Sequence, residues 1–440
     1  MNAQPASCVH WLLVSWLFVL SAVAFLDRVN LAVAGSRLTA DYHLSDVQLG
    51  GMFSFFLLGY ALFQTPAGWL ADKFGPRRVL FGAVLWWGVF TALTAAVPPE
   101  IARPFLLLIL IRFLLGAGEA IIYPASNQFV AWWIPTQERG SANGLIFAGV
   151  GVGSGLTPLL VTYVMVHHGW RWSFWICALI GIVAGAVWFL VSRDKPEEHP
   201  FVSAAELANI RAGRTLDDNP TANKVVPWGT ILQSPQPWVL TLSYFCYGYV
   251  AWIFFGWFYI YLARVRGLNL KASAFYATLP FVAMAISCPL GGLISDWLTR
   301  QLGRRAGRCG IAVFGIALAG IFLAFGSNVA SARLASVILA GGAGALYLSQ
   351  SSFWSVSADI GGAFSGSVSG FMNMGAQLGG AVTASLTPAI AARFGWTASF
   401  LVAALLSLLG ALAWLLVNPE RSLITATTMN ENSTLPVTQA

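Results

Sequence analysis

Four charged side chains lie inside long apolar runs: Asp27 and Arg28 in the first run, Arg112 and Glu119 in the fourth. A charge at the centre of a membrane helix costs about 2.5–3.5 kcal/mol on insertion scales, so four of them point to a purpose. Their formal charges sum to zero. Arg112 and Glu119 stand seven residues apart, which returns them to nearly one helix face, about 10.5 Å apart along the axis. Such a set suits proton–anion linkage. In a partly dry cavity, burial and a neighbouring arginine act in opposite directions on the proton affinity of a carboxylate. An organic anion that engages Arg28 through a bidentate fork weakens the hold of that arginine on Asp27 or Glu119 and favours proton uptake. The competing reading is a static salt-bridge cluster between the two segments.

The second half of the chain is polar without mid-run charge. Ser349, Gln350, Ser351, Ser352, Trp354, Ser355 and Ser357 share one segment, and Asn373 and Gln377 share a face of the next at a spacing of four. These groups suit the neutral, hydroxyl-bearing end of a ligand whose acid end sits on Arg28, with interhelical bonding as the alternative use. Tyr244, Tyr247, Tyr249, Trp252, Trp257 and Tyr261 crowd the seventh segment as packing or interfacial rings. His167 and His168 read as a solvated loop, and Gly149, Gly151, Gly153 and Gly155 as helix packing, since their spacing fits no nucleotide loop. Cysteines 8, 177, 246, 288 and 309 form no CxxC pair, and neither a metal site nor a disulfide framework is expected. GxSxG and HExxH are absent, so no enzyme is indicated.

The elements that must position these residues follow from composition. With 57% hydrophobic residues, 9% charged residues and a mean hydropathy of +0.71, the chain lies far from the roughly 25% charge of a soluble domain. It reads as an all-α integral membrane protein in a lipid bilayer, with twelve apolar segments each long enough to cross about 30 Å of hydrocarbon. The expected spans are 11–33, 47–70, 79–97, 104–131, 141–166 and 172–191, then 236–262, 273–296, 309–327, 334–358, 362–391 and 396–417. The loop from Gly68 to Arg78 recurs in degraded form from Gly292 to Asp296 at an offset of 224 residues. Gly169, Trp170, Ser173 and Phe174 recur as Gly395, Trp396, Ser399 and Phe400 at 226. Two pseudo-symmetric six-helix bundles are implied, at 1–192 and 236–417. Between them, 193–235 is expected as a cytoplasmic linker, because 193–224 hold 11 of the 41 charged residues. Residues 418–440, rich in Thr and Asn, are expected as a disordered tail.

Loops on the linker's side hold 14 Lys and Arg against eight opposite, which places both termini in the cytoplasm. The first apolar segment is expected to stay as the first helix, since Asp27 and Arg28 within it do not suit a cleavable signal. The net charge of +7 reflects loop bias, with no nucleic-acid partner expected.

The Gly68–Arg78 loop resembles the signature between the second and third helices of the major facilitator superfamily. Within it, the chain resembles the anion:cation symporter family from about residue 11 to 418. The resemblance is carried by Leu26 to Leu31, by Arg112 to Ala120 with Pro124, by Gly169 to Trp172, and by Met372, Asn373, Gly379 and Gly380. It implies the major facilitator fold and proton-coupled import of a small organic anion, with protons as the coupling ion and no cofactor. Asp27 and Glu119 would couple protons, Arg28 would hold the substrate carboxylate, and Arg112 would pair with the acids. Tyr60, Trp354 and Asn373, joined by Gln377 on its helix face, would line the site. Asp72, Arg77 and Arg78, with Asp296 as the repeat, would latch the cytoplasmic side. A hexonate, hexuronate or aldarate is the first expectation, in a monomer of a bacterial inner membrane. Phe25 stands where sugar-acid members often have Tyr, Gly248 where they often have Asn, and Gln377 replaces a common Asn. A less polar or aromatic carboxylate is therefore an alternative, as are a uniporter or exchanger and, outside transport, a membrane sensor.

Overall fold

The computed structural model describes residues 7–213, 228–258, 261–268 and 270–421. Residues 214–227 of the expected linker and 422–440 of the expected tail lie outside the described residues. The described chain is helical without strands. In hydrocarbon no water bonds the backbone, so each apolar run satisfies its own N–H and C=O groups as a helix.

The first half comprises α1 (Val9–Asp41), α2 (Asp46–Phe74), α3 (Pro76–Ala96), α4 (Pro104–Glu119), α5 (Ile122–Trp133), α6 (Arg139–His168) and α7 (Trp170–Val191). The linker contributes α8 (Ala204–Ala212) and α9 (Trp228–Gln233). The second half comprises α10 (Pro235–Gly256), α11 (Leu270–Leu302), α12 (Gly310–Asn328), α13 (Ala332–Leu348), α14 (Gln350–Gly361), α15 (Ser365–Phe394) and α16 (Trp396–Ala413). Among the described residues, ten helices are long and apolar enough to cross a membrane. One of them, the 63-residue run Ala332–Phe394, breaks at Gly362 with φ 50° and supplies two crossings. With α2, of 29 residues, the crossings number twelve.

Two features were not visible in the apolar pattern. The fourth crossing is interrupted at Ala120 and Ile121, between α4 and α5, and the tenth at Ser349, between α13 and α14. The first helix also runs past the expected end at 33 to Asp41, which accepts hydrogen bonds of 2.8 Å from Trp170 Nε1 and Arg171 Nη1. The Trp170 indole and then Arg171 hold the Asp41 carboxyl, beyond the span that ends at Gly35, below the usual carboxylate range. The reversals at Gly75 and Gly303 have φ 84° and 88°, those at Gly169 and Gly395 88° and 85°. Only glycine takes this left-handed backbone freely, so the repeat in sequence is a repeat of sharp turns.

The halves meet along α2 against α15 and α6 against α11. These contacts are close because glycine faces glycine: a Cβ on Gly68 would lie 2.1 Å from the Gly366 carbonyl oxygen, and one on Gly292 2.2 Å from that of Gly140. The stripe on α6 packs on both sides, with Gly149 and Gly153 against α1 and Gly151 against Ala285 of α11.

Candidate functional site

Between the halves lies a cavity of about 70 Å³. Arg28, Tyr60 and Phe25 reach it from the first half, and Gln350, Asn373 and Gln377 from the second, among rings that include Tyr123, Tyr244, Tyr247, Trp252 and Phe255. Among the described residues, Arg28 is the one charged side chain on its wall, with its side chain 12% exposed. Its guanidinium lies over the rings of Tyr60 at 4.4 Å and Phe25 at 4.6 Å. Its Nε donates to Glu119 Oε2 at 2.6 Å, while Nη2 makes no hydrogen bond within the protein. Glu119 is wholly buried at the last residue of α4, so the interruption of the fourth crossing falls next to the ion pair.

Asp27 is buried with neither carboxylate oxygen hydrogen-bonded inside the protein. Arg112, also buried, lies over Phe56 at 4.9 Å. Among the described residues it makes no ion pair within 4.0 Å, so the pairing expected of Arg112 with the acids falls to Arg28 and Glu119. Both residues lie within α4 two turns apart, about 10.5 Å along the axis, so sharing a helix face does not bring the two side chains into contact.

Opposite Arg28 the wall is neutral. Gln350 Oε1 and Gln377 Oε1 there, like Tyr60 OH beside Arg28, have no hydrogen-bond partner inside the protein and are buried, a costly state for polar groups. Asn373 is committed across the halves, its Nδ2 donating to Gln64 Oε1 at 2.8 Å. Trp354 does not line the cavity. It sits one layer behind, its ring tilted against Phe147 and Tyr123 at 5.0 and 5.6 Å, and donates Nε1–H to Tyr244 OH at 3.0 Å. Gln350 Nε2 donates to the same hydroxyl at 2.9 Å, which makes Tyr244 a hub that sequence reading left among packing rings. At Gly248 the wall is backbone, since a Cβ there would lie 2.1 Å from the Ala376 carbonyl oxygen.

On the side of the linker the halves are closed. Asp72 accepts from the N–H groups of Gly366 and Ser367 at 2.9 and 2.7 Å, at the start of α15, where the helix dipole favours an anion. Asp296 accepts from Gly140 N, Ser141 N and Ser141 Oγ at 2.9, 2.6 and 2.5 Å and pairs with Arg308 at 2.5 Å. The arginines after Asp72 do not join it. Arg77 turns along α7, donating to the Phe189 carbonyl from Nε and Nη2 and from its backbone N–H to Asp194, while Arg78 is exposed. The reversal at Gly75 aims them that way. Burial pushes the Asp194 carboxyl up.

Two cross-half clasps carried no motif. Arg139 pairs with Asp359 at 2.7 Å with both side chains fully buried. Gln128 donates to the Ala363 carbonyl at 3.0 Å and accepts from Gly366 N at 2.9 Å and from the Ser365 hydroxyl. Their signal was a carboxylate and an amide at the ends of apolar runs, without a spacing to pair them.

The sequence model of the Major Facilitator Superfamily matches residues 17–383. The chain is 32% identical over 399 residues to a probable sulfoacetate transporter of Cupriavidus necator, covering 90% of this chain and 91% of that one. It is 34% identical over 306 residues to a probable galactarate/D-glucarate transporter of Escherichia coli, covering 67% of each. Among solved structures, a proton:xylose symporter bound to 6-bromo-6-deoxy-D-glucose superposes with a TM-score of 0.72 at 15% identity, over 95% of this chain and 98% of that one. That likeness speaks to the fold alone.

Proposed function

Because the chain belongs to the Major Facilitator Superfamily and is a multi-pass secondary transporter of that type, not an enzyme, we propose that it imports a small organic anion by proton symport, with a sugar acid as first choice. The observation that carries this reading is the Arg28–Glu119 pair at 2.6 Å, with Arg28 reaching the cavity and Glu119 wholly buried behind it. An anion arriving on Arg28 competes with Glu119 for the same guanidinium. A buried carboxylate that loses its counter-ion is strongly destabilised as an anion, so a proton follows the substrate. Asp27, without a hydrogen-bonding partner in the protein, is the second acceptor. The relatives named for sulfoacetate and for galactarate/D-glucarate support an acidic substrate. The unpartnered Tyr60, Gln350 and Gln377 groups support one that also carries hydroxyls.

On this reading the linker side is cytoplasmic, in a bacterial inner membrane, and the structure stands with its cytoplasmic side shut. A second reading, a less polar or aromatic carboxylate, is favoured by the rings around the cavity and by the lack of a polar group at Phe25 and Gly248. The test is uptake of radiolabelled sugar acids, short sulfonated acids and aromatic carboxylates into proteoliposomes, with an inward proton gradient imposed and then collapsed by protonophore. Accumulation of a sugar acid that vanishes on collapse is the expected result. Entry only to equilibrium, whatever the gradient, removes proton coupling, and accumulation of aromatic acids alone selects the second reading.

A further inference from the structure

The linker helix α8 carries a buried carboxylate, Glu206, that no transport step uses. Carboxylates are almost never fully buried unless paired or hydrogen-bonded, and this one lies outside the membrane spans. It is held by the start of the chain: His10 N–H donates to Oε1 at 2.9 Å, His10 Nδ1 stands 2.5 Å from the same oxygen, and the Ser7 hydroxyl donates to Oε2. Ser7 and Ser203 exchange a further pair of bonds, Ser7 N to Ser203 Oγ at 3.0 Å and Ser203 N to Ser7 Oγ at 2.8 Å. Burial opposes charge on Glu206, but the bonds from Ser7 and His10 outweigh it and hold its carboxyl below the usual range. The helix is thereby fixed to the first half, with Ile210 fully buried beneath it.

The other end of α8 meets the gate. The Gly213 carbonyl accepts from Thr136 N–H at 2.9 Å, and a Cβ on Gly213 would lie 2.4 Å from Pro135 Cβ. Thr136 opens the short turn Thr136–Glu138 between α5 and α6, and its own carbonyl accepts from Arg308 Nη2 of the second half at 2.7 Å. Arg308 is the partner of Asp296. A continuous chain of bonds therefore runs from Glu206 through α8, Thr136 and Arg308 to the Asp296 latch. The matching turn of the second half, Gly362–Phe364, is likewise gripped from across the halves, by Gln128 at Ala363. Among the described residues, the first turn alone is also held by a segment outside the bundles.

We infer that α8 is a working part of the gate on the linker side, with Glu206 as the positioning residue that holds the Thr136 turn where Arg308 can bind it. Releasing Glu206 lets the turn relax, removes one acceptor from Arg308 and favours opening on the linker side. The test uses the full chain in lipid nanodiscs with Cys8→Ser, and spin labels on Lys73→Cys of the first half and Gln301→Cys of the second. Both positions are exposed at the linker ends of α2 and α11, so opening lengthens the distance that electron–electron double resonance reads. Glu206→Gln is expected to raise the ratio of long to short distances on the order of tenfold, the shift that corresponds to about 1.4 kcal/mol. Gly213→Ala, which presses on Pro135 without touching Glu206, is expected to move it in the same direction. A distance distribution unchanged in both variants overturns the inference, and so does a loss of thermal stability with no change in distance, because cover alone does not bias the gate.

Discussion

The two halves repeat the same reversal at Gly75 and Gly303 and the same interruption at Ala120 and Ser349, yet among the described residues only the first buries charge around the cavity. Beside the interruption in the first half, Glu119 pairs with Arg28. Beside that in the second, Gln350 bonds Tyr244, which also receives Trp354. A duplicated backbone thus offers two equivalent places within the bundles, one holding an ion pair and the other neutral hydrogen bonds. The gates diverge in the same manner. Asp72 is held by two backbone N–H groups, whereas Asp296 has backbone donors, a hydroxyl and a buried arginine.

Breaking the charged half should have the largest effect. Arg28→Ala removes the cation proposed to hold the substrate and leaves Glu119 buried without its partner, a loss of about 3–5 kcal/mol for a buried pair. Saturable uptake in proteoliposomes is expected to fall by at least a hundredfold, and a normal KM in that variant would take Arg28 out of the site. Glu119→Gln tests coupling apart from binding. It keeps an acceptor for Arg28 but cannot exchange a proton, so uphill accumulation is expected to disappear while exchange of labelled for unlabelled substrate continues. Accumulation at the wild-type level would assign coupling elsewhere.

The difference between the latches predicts unequal consequences. Asp296→Asn strands Arg308, which is fully buried, whereas Asp72→Asn leaves only backbone donors facing a neutral acceptor. The first should cost about 3–5 kcal/mol and the second about 1–2 kcal/mol. Hydrogen–deuterium exchange reads each separately, in residues 134–144 beside Asp296 and 361–370 beside Asp72. A greater rise around 134–144 is expected, and equal rises would show that Arg308 adds nothing to the latch.

How much of this was legible in the sequence depends on whether the signal was local. The apolar runs, the repeated Gly–Asp loop and the four charges declared themselves because hydrocarbon penalises every exception. The interruptions at Ala120 and Ser349 did not, since the run around Ala120 is apolar without a break signal and the polar residues from Ser349 on continue the helix without a proline to mark one. Pairings across the halves were also out of reach. Arg139 and Asp359 are 220 residues apart, and Gln128 and Ala363 235, with nothing in either sequence neighbourhood to connect them. Trp354 was expected on the wall from the family resemblance, but it lies one turn beyond Gln350 on the same face of α14, bonded to Tyr244 behind the wall, and Gln350 reaches the cavity instead. Arg77 and Arg78 were grouped with Asp72 by the family resemblance, and the turn at Gly75 separates them.

The smallest expected effect sharpens the division of labour between the halves. Phe25 brings a hydrocarbon ring from the charged half to the cavity, 4.6 Å from the Arg28 guanidinium and 6.1 Å from Phe255 of the other half. Phe25→Tyr adds one hydroxyl beside the cation without altering the charge balance, so it gives the charged half a second neutral group at the cavity beside Tyr60. If the ligand carries hydroxyls next to its acid group, one hydrogen bond of about 1 kcal/mol lowers KM for a sugar acid roughly fivefold. For an apolar carboxylate the same hydroxyl must be desolvated without a partner, and KM rises. Uptake kinetics of both ligand classes in this single variant therefore separate the two substrates through the sign of the change. A fall for the sugar acid is the expected pattern, and a rise for the aromatic acid without a fall for the sugar acid would make the ring of Phe25 a contact for an apolar ligand.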